Sequence, residues 1–446
     1  MADNSFMAKT KFLLGVSLSL LLAAPSPLWA VGSAGYENAS YSARTLSQAN
    51  AVVARPQDPS TILFNPAGIG ELEGVQANLG AQLLDWRTFY TNNATGDKNH
   101  NDFKPIPIPS AYVTINPGSL LNDRLALGVA VNSPFGLSNS YPSISVGRYT
   151  GFKNSLKTLA TTVAGSVKLT DFLSVGGGAT QYRVFDYGQT ANYPNSAVLG
   201  FPAADGLVRT EMSGHGYGWN AGILLKPFKK HRLGLSYRSK ASIKVSGRGV
   251  VEDLVFGAAQ GFPTSPHFET GIHSDVPIPA NLTFGYAYEP SKKWSVEADV
   301  GITYWGVFKD QDVAFDTQDT SGILQTLGRI PRDYKTSLSI HLGGKRQVTE
   351  KLDWLGGFLF YQAPSPKNHF DNFLPDANRY MWTTGLSYRF KRWWTVDANY
   401  IFMLFGTRAI SNPQVTAKSG VSIDGKYTSI IHGPMISCNY QFGIAE

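Results

Sequence analysis

The residues with the capacity for chemistry are few, and most fall on one face of alternating segments. Between Leu233 and Ser246, apolar Leu233, Leu235, Tyr237, Ala241, Ile243 and Val245 alternate with Gly234, Ser236, Arg238, Lys240, Ser242, Lys244 and Ser246. Only Ser239 interrupts the apolar set. Period two places Arg238, Lys240 and Lys244 together on the polar side. Three cations in a column can hold a carboxylate, and Arg332 is a further candidate. Glu297, Asp299 and Asp397 stand on polar faces of the same kind. An internal ion-pair network is therefore the competing reading, and the favoured one. His215 and His341 have serines nearby, but serine is spread along every polar face, so no nucleophile and base stand out. His267 and His273 are six apart in an expected loop, too sparse for a metal site. A single cysteine, Cys438, leaves no disulfide framework. No catalytic set, metal or cofactor is expected.

The elements that position these residues are strands. Trp294, Val296, Ala298, Val300, Ile302 and Tyr304 oppose Ser295, Glu297, Asp299, Gly301 and Thr303. Leu282, Phe284, Tyr286 and Tyr288 oppose Asn281, Thr283, Gly285 and Ala287, and a like alternation covers 394–402. Such runs are longer than ordinary strands, with aromatics near their ends. Fourteen are expected, near 74–87, 109–117, 123–133, 153–169, 172–186, 213–226, 231–248, 278–289, 293–308, 332–348, 351–363, 378–390, 393–405 and 425–442. Links after even-numbered strands are short, such as Lys226-Pro227-Phe228-Lys229-Lys230 and Phe390-Lys391-Arg392. Links after odd-numbered strands run to about 30 residues. Apolar faces outward, aromatic ends and one-sided short turns describe a transmembrane barrel. The chain of 446 residues is only 16% charged, carries 45 glycines and has a net charge of +7. Its basic residues are scattered, so no nucleic-acid partner is expected.

Phe12 to Ala24 is a 13-residue apolar core, preceded by Lys9 and Lys11 and followed by Leu28-Trp29-Ala30. It is too short to span a bilayer and has the grammar of an export signal, so residues 1–30 are expected to be removed. Residues 31–73 do not alternate. A barrel of fourteen strands encloses more volume than its own side chains fill. This segment, through the turn Asn65-Pro66-Ala67-Gly68, is therefore expected to be a plug, with the barrel over 74–446. Domain order is thus signal, hatch and all-β barrel.

The chain resembles the FadL-type outer-membrane transporters of long-chain fatty acids and other hydrophobic compounds. The resemblance rests on Gly214-His215-Gly216-Tyr217-Gly218-Trp219-Asn220-Ala221-Gly222, on Leu235 to Ser239, and on Asn65-Pro66-Ala67. Thr303-Tyr304-Trp305 with Phe308, and Asp333-Tyr334, also fit. It implies a 14-stranded antiparallel transmembrane barrel with a small N-terminal hatch, in the bacterial outer membrane. It further implies passive, hatch-gated uptake of long-chain fatty acids or other hydrophobic molecules. Asn65, Pro66 and Ala67 would hold the hatch turn. Asn132, Pro134, Phe135 and Gly136 would form a kink in the third strand that opens the wall sideways. Val198, Leu199, Phe201, Val251, Leu254, Val255 and Phe256, on two unusually apolar loops, would form an outer capture groove. The partners expected are the hydrophobic solute, outer-membrane lipid and lipopolysaccharide, with the protein a monomer. Competing readings are a channel for aromatic hydrocarbons on the same fold, and a barrel that only displays loops.

Overall fold

The computed structural model describes residues 35–116, 124–196, 204–253, 267–317, 328–370 and 373–442. The expected signal lies outside the described residues. Fourteen antiparallel strands close into a barrel. In chain order they are β1 Gly74–Asn92, β2 Ile106–Asn116, β3 Leu125–Asn132 with Gly136–Ser140, β4 Lys153–Lys168, β5 Leu173–Tyr193, β6 Gly206–Phe228 and β7 His231–Arg238 with Ala241–Glu252. There follow β8 His267–Ile278 with Asn281–Ser291, β9 Trp294–Thr303, β10 Ser337–Gln347, β11 Leu352–Tyr361, β12 Arg379–Lys391, β13 Trp394–Phe405 and β14 Gly425–Phe442. Closure runs from Val75 opposite Phe442 to Asn92 opposite Gly425. A closed ladder pairs the backbone that lipid cannot solvate.

The outer face is apolar because one residue in two points at lipid. Leu79, Val163, Leu342 and Ile436 are exposed there. Trp294, Trp354, Tyr388, Phe390, Trp393 and Trp394 are exposed near the short turns, and Tyr217, Trp219 and Tyr304 toward the other end. These are two aromatic belts. The strands reach further beyond the belts than the alternation showed. β5 runs to Tyr193, β6 starts at Gly206 and β8 starts at His267. Above the membrane both faces meet water, so the apolar period fades while the ladder continues.

The alternation also fails at one place that matters. Seven residues of β7, Arg238 to Lys244, stand opposite six of β6, Asn220 to His215. The extra residue is a bulge, and it exchanges the faces beyond it. Ile243 and Val245 are buried on the inside, and Lys240 and Lys244 are exposed on the outside. The expectation that both lysines line the lumen is corrected.

Residues 35–73 fill the lumen with short helices, α1 Ala43–Ser47, α2 Thr61–Phe64 and a 3-10 turn Pro66–Glu71. Most of this segment is buried. The wall makes room for it with glycine. A Cβ on Gly176, Gly222, Gly234, Gly343, Gly357 or Gly385 would come within 2.0–2.6 Å of Pro66, Asn65, Val53, Gln48 or Ser47. Gly234→Val would drive a side chain into the Val53 carbonyl. The variant is expected to unseat the segment and raise single-channel ion conductance in a planar bilayer. Wild-type conductance at wild-type barrel yield would contradict the fit.

Candidate functional site

The lumenal segment is built by short polar caps rather than by a core of its own. Ser42 caps α1, accepting from Thr45 N at 3.2 Å, and its hydroxyl donates to Asp58 Oδ2 at 2.5 Å. Ser60 N donates to Asp58 Oδ1 at 2.8 Å. Burial pushes the Asp58 carboxyl up from its ordinary pKa, and the Ser42 and Ser60 hydrogen bonds draw it back. Asn65 ties three strands of chain together. Its Nδ2 donates to Val53 O at 2.8 Å and to Ile223 O of β6 at 3.0 Å, while its Oδ1 accepts from Ala67 N at 3.2 Å. Pro66 occupies the first turn of the 3-10 helix, where a missing N–H costs nothing.

The lumenal carboxylates hold this segment. Asp299 Oδ2 accepts from Val52 N at 2.9 Å and Val53 N at 3.0 Å. Arg44 meets Asp397 at 3.0 Å, and Arg55 meets Glu289 at 2.9 Å and Glu297 at 3.1 Å. His341 Nδ1 donates to Ala49 O at 2.8 Å, so the neutral ring accepts from Ser339 at Nε2, 3.0 Å away. The ion-pair network expected among wall residues is therefore a network between wall and lumenal segment. Arg238 joins it through Glu37, at 2.7 Å. His267 and His273 stand outside, beside Glu252 at 3.7 Å and Asp316 at 3.4 Å. No group of His, Cys, Asp and Glu among the described residues could hold a metal ion.

The third strand is interrupted between Asn132 and Gly136. β3 pairs with β2 only from Leu127 to Val131, opposite Ile115 to Ala111. After Asn132 it bends, and Gly136–Ser140 pairs with β4 alone. The upper part of β2, Ile106 to Ser110, keeps its ladder with β1. That ladder passes through Pro107 and Pro109, which have no N–H, so their nitrogens face the side that β3 has left. The edge of the gap thus carries no donor at two alternate positions. Ile-Pro-Ile-Pro in a strand marks an edge, and Ile106 to Pro109 carry that mark in the sequence.

The bend carries Phe135 inward, fully buried. Phe135 forms a bridge with Glu37. Asn38 N donates to Pro134 O at 2.8 Å, Gly136 N to Tyr36 O at 2.8 Å, and Asn38 Nδ2 to Ser133 O at 2.9 Å. The Tyr36 ring lies 6.1 Å from Phe135, 4.9 Å from Trp305 and 5.7 Å from Phe308, edge to face. Tyr334 closes the group, 5.0 Å from Phe308. Gly35 sits against Trp305 at φ +57°, where a Cβ would lie 2.8 Å from the indole. Trp305, Phe308 and Tyr334, distant in sequence, thus converge on the kink. Arg238 flanks them, its guanidinium 5.0 Å from the Phe135 ring. Its Nε and Nη2 are buried without a hydrogen-bond partner. Arg332 is 1% exposed, donates to Gln311 Oε1 at 2.6 and 3.2 Å, and stacks 5.1 Å from Phe373.

At the outer end an apolar cavity of about 180 Å³ is lined by Tyr149, Tyr193, Val208, Phe315, Ile330 and Val415, among others. Of the expected capture residues, Val198, Leu199, Phe201, Leu254, Val255 and Phe256 lie outside the described residues. Val251 is buried in β7, opposite Val208 and Phe268. The cavity instead draws on the ends of β5 and β6 and on the links after β3, β9, β11 and β13.

A fourteen-stranded transmembrane barrel with a filled lumen and an apolar chamber is a channel of the bacterial outer membrane. The family model described as "Outer membrane protein transport protein (OMPP1/FadL/TodX)" matches residues 28–442, and the chain belongs to that family. It is 24% identical to the long-chain fatty acid transport protein of Salmonella typhi, over 88% of this chain and 91% of that one. The crystal structure of a Pseudomonas aeruginosa FadL homologue superposes with a TM-score of 0.80 at 21% identity, over 92% of this chain and 100% of that one. The Pseudomonas putida toluene transporter TodX gives 0.71 at 17% identity, over 91% and 100%. Members of the family are transport channels for hydrophobic compounds, not enzymes.

Asp299 holds two buried amides of the lumenal segment with one oxygen. Asp299→Ala is expected to cost about 1–3 kcal/mol, the penalty for leaving buried donors unpaired, read as an earlier urea unfolding midpoint. An unchanged midpoint would contradict that role.

Proposed function

We propose that the protein takes up hydrophobic molecules bearing a carboxylate, long-chain fatty acids foremost, by passive diffusion gated by residues 35–73. The observation that carries this reading is the pairing of Tyr36 to Asn38 with the break in β3. It ties the lumenal segment to the place where β3 parts from β2. A solute enters at the apolar outer cavity and moves to the aromatic chamber of Tyr36, Phe135, Trp305, Phe308 and Tyr334. There its carboxylate reaches the free N–H groups of Arg238 and competes with Glu37. A guanidinium binds carboxylates in a fork, and charge-assisted bonds in a buried site are strong. Displacing Glu37 loosens the segment from the kink. The apolar solute then leaves between β2 and β3 without having to expose its tail to water, at about 0.8 kcal/mol per methylene. Binding the open state better than the closed one is all the gate requires. Asn65, Pro66 and Ala67 anchor the hatch while its N-terminal part moves.

The second reading, an aromatic hydrocarbon channel, draws on the same chamber. Arg238 is already neutralised by Glu37, and the ring cluster suits an uncharged aromatic solute.

Uptake of labelled oleate and labelled toluene, in cells without their own transporter, separates the two. Arg238→Gln is expected to raise the half-saturating oleate concentration about tenfold, the worth of one charge-assisted bond, and to leave toluene uptake unchanged. Toluene uptake alone in the wild type would assign the channel to hydrocarbons. No uptake of either by an inserted barrel would leave the display role. Pro134→Val with Gly136→Val is expected to lower uptake at unchanged barrel yield, and unchanged uptake would remove the sideways exit.

A further inference from the structure

Three consecutive strands are interrupted at one level of the wall. β7 breaks at Ser239 and Lys240, β8 at Pro279 and Ala280, and β9 ends in a 3-10 turn over Trp305–Val307. Hydrogen bonds fix that level. Ser239 N donates to Trp219 O at 2.8 Å, and Tyr304 N to Ala280 O at 2.9 Å. Trp219 is 51% exposed and Tyr304 40% exposed on the outer face, so the breaks coincide with the outer aromatic belt. Below it the exterior of this sector is apolar, with Leu235, Phe284, Val296 and Val300 exposed. Above it the faces are exchanged. The inside receives Ile243, Val245, Val276 and Ile278, all buried, and the outside receives Lys240, Lys244, His273 and Asp275.

The same interruptions leave an outward-facing dent of about 1140 Å³. Its lining includes Lys240, Lys244 and Lys309, with Tyr217 and Val307 as apolar wall. It also includes Asp275, Asp310 and Asp312. Asp310 and Asp312 face Arg329 at 3.2 and 3.9 Å. Asp275 lies opposite Lys244 in the ladder and accepts the Ser242 hydroxyl at 3.1 Å. Among the described residues none of the three lysines forms an ion pair within 4 Å. Two of the three carboxylates are thus engaged, and three ammonium groups are not.

We propose that this dent binds the phosphorylated glucosamine headgroup of outer-leaflet lipopolysaccharide, with Lys240, Lys244 and Lys309 on its phosphates. The height is that of a headgroup layer, directly above an aromatic belt. Unpaired basic residues at such a level recognise anionic lipid heads. Lysine suits the task, because its stem covers apolar wall while its ammonium reaches a phosphate. Acyl chains would continue down the apolar face of β7, β8 and β9. The inference is independent of which solute the channel carries.

The test uses the whole protein in detergent, titrated with bisphosphorylated lipid A and with the same lipid after removal of its phosphates. Bound lipid is counted by native mass spectrometry. One lipid A is expected to bind, at least tenfold more tightly than its phosphate-free form, and more weakly as salt rises. Lys240→Gln, Lys244→Gln and Lys309→Gln together are expected to remove that preference, and the triple arginine variant to keep it. Glutamine at Lys229, Lys230 and Lys293, on the opposite side, is expected to change nothing. Equal binding of the two lipids by the wild type would overturn the proposal whether or not any variant folds. An undiminished preference in the glutamine triple variant would also overturn it.

Discussion

Two backbone hydrogen bonds, from Asn38 N to Pro134 O and from Gly136 N to Tyr36 O, stand where the requirement of a closed ladder is relaxed. A barrel wall in lipid leaves no backbone polar group unpaired. β3 departs from that rule when it swings away from β2 after Asn132. The bend is stable because its inner side finds a partner in the lumenal segment. The facing edge of β2 carries fewer polar groups to satisfy, because Pro107 and Pro109 have no N–H. A gap in the wall and a segment in the lumen are therefore one structural solution. Each supplies what the other lacks, and a movement of either changes both.

The polar chemistry of the lumen follows from the same constraint. A short segment with little regular structure carries many unpaired amides and carbonyls into a buried space. Asp299, His341, Thr383 and Asn220 answer them from the wall, and glycines let the backbones approach. Arginines of the segment return to wall carboxylates. Buried ion pairs of this kind add little net stability, but breaking one is costly. They fix where the segment sits. Around Tyr36, at its N-terminal part, aromatic packing against Phe135, Trp305 and Phe308 takes over. The part proposed to move is thus held by contacts that an apolar, charged-ended solute can replace.

Much of this was legible in the sequence because period two survives wherever one face meets lipid. It gave the fourteen strands and the sidedness of the turns, whereas the plug expected over 31–73 came from the loss of alternation and the kink expected at Asn132 to Gly136 from proline and glycine. It did not give the position of Lys240 and Lys244. Alternation carries a face forward only while the register holds, and one extra residue in β7 reverses it. Ser239, the one irregularity in that run, was the visible trace of the bulge. The pairing of Arg238 with Glu37 joins residues far apart in the chain, and no local pattern encodes it. Trp305 with Phe308, and Tyr334, could be matched to two motifs but not to each other or to the kink, because their meeting depends on how the links above the barrel fold inward.

The central claim is that the contact between the N-terminal segment and the kink must open for a solute to pass. Glu37→Cys with Phe135→Cys, on a Cys438→Ser background, places a disulfide across a bridged antiparallel pair, a spacing such a bond can span. Oleate uptake would be measured in cells before and after oxidation, and again after reduction. The account predicts uptake in the reduced protein, its loss on oxidation and its return on reduction. Full uptake through the oxidised, cross-linked protein would contradict it.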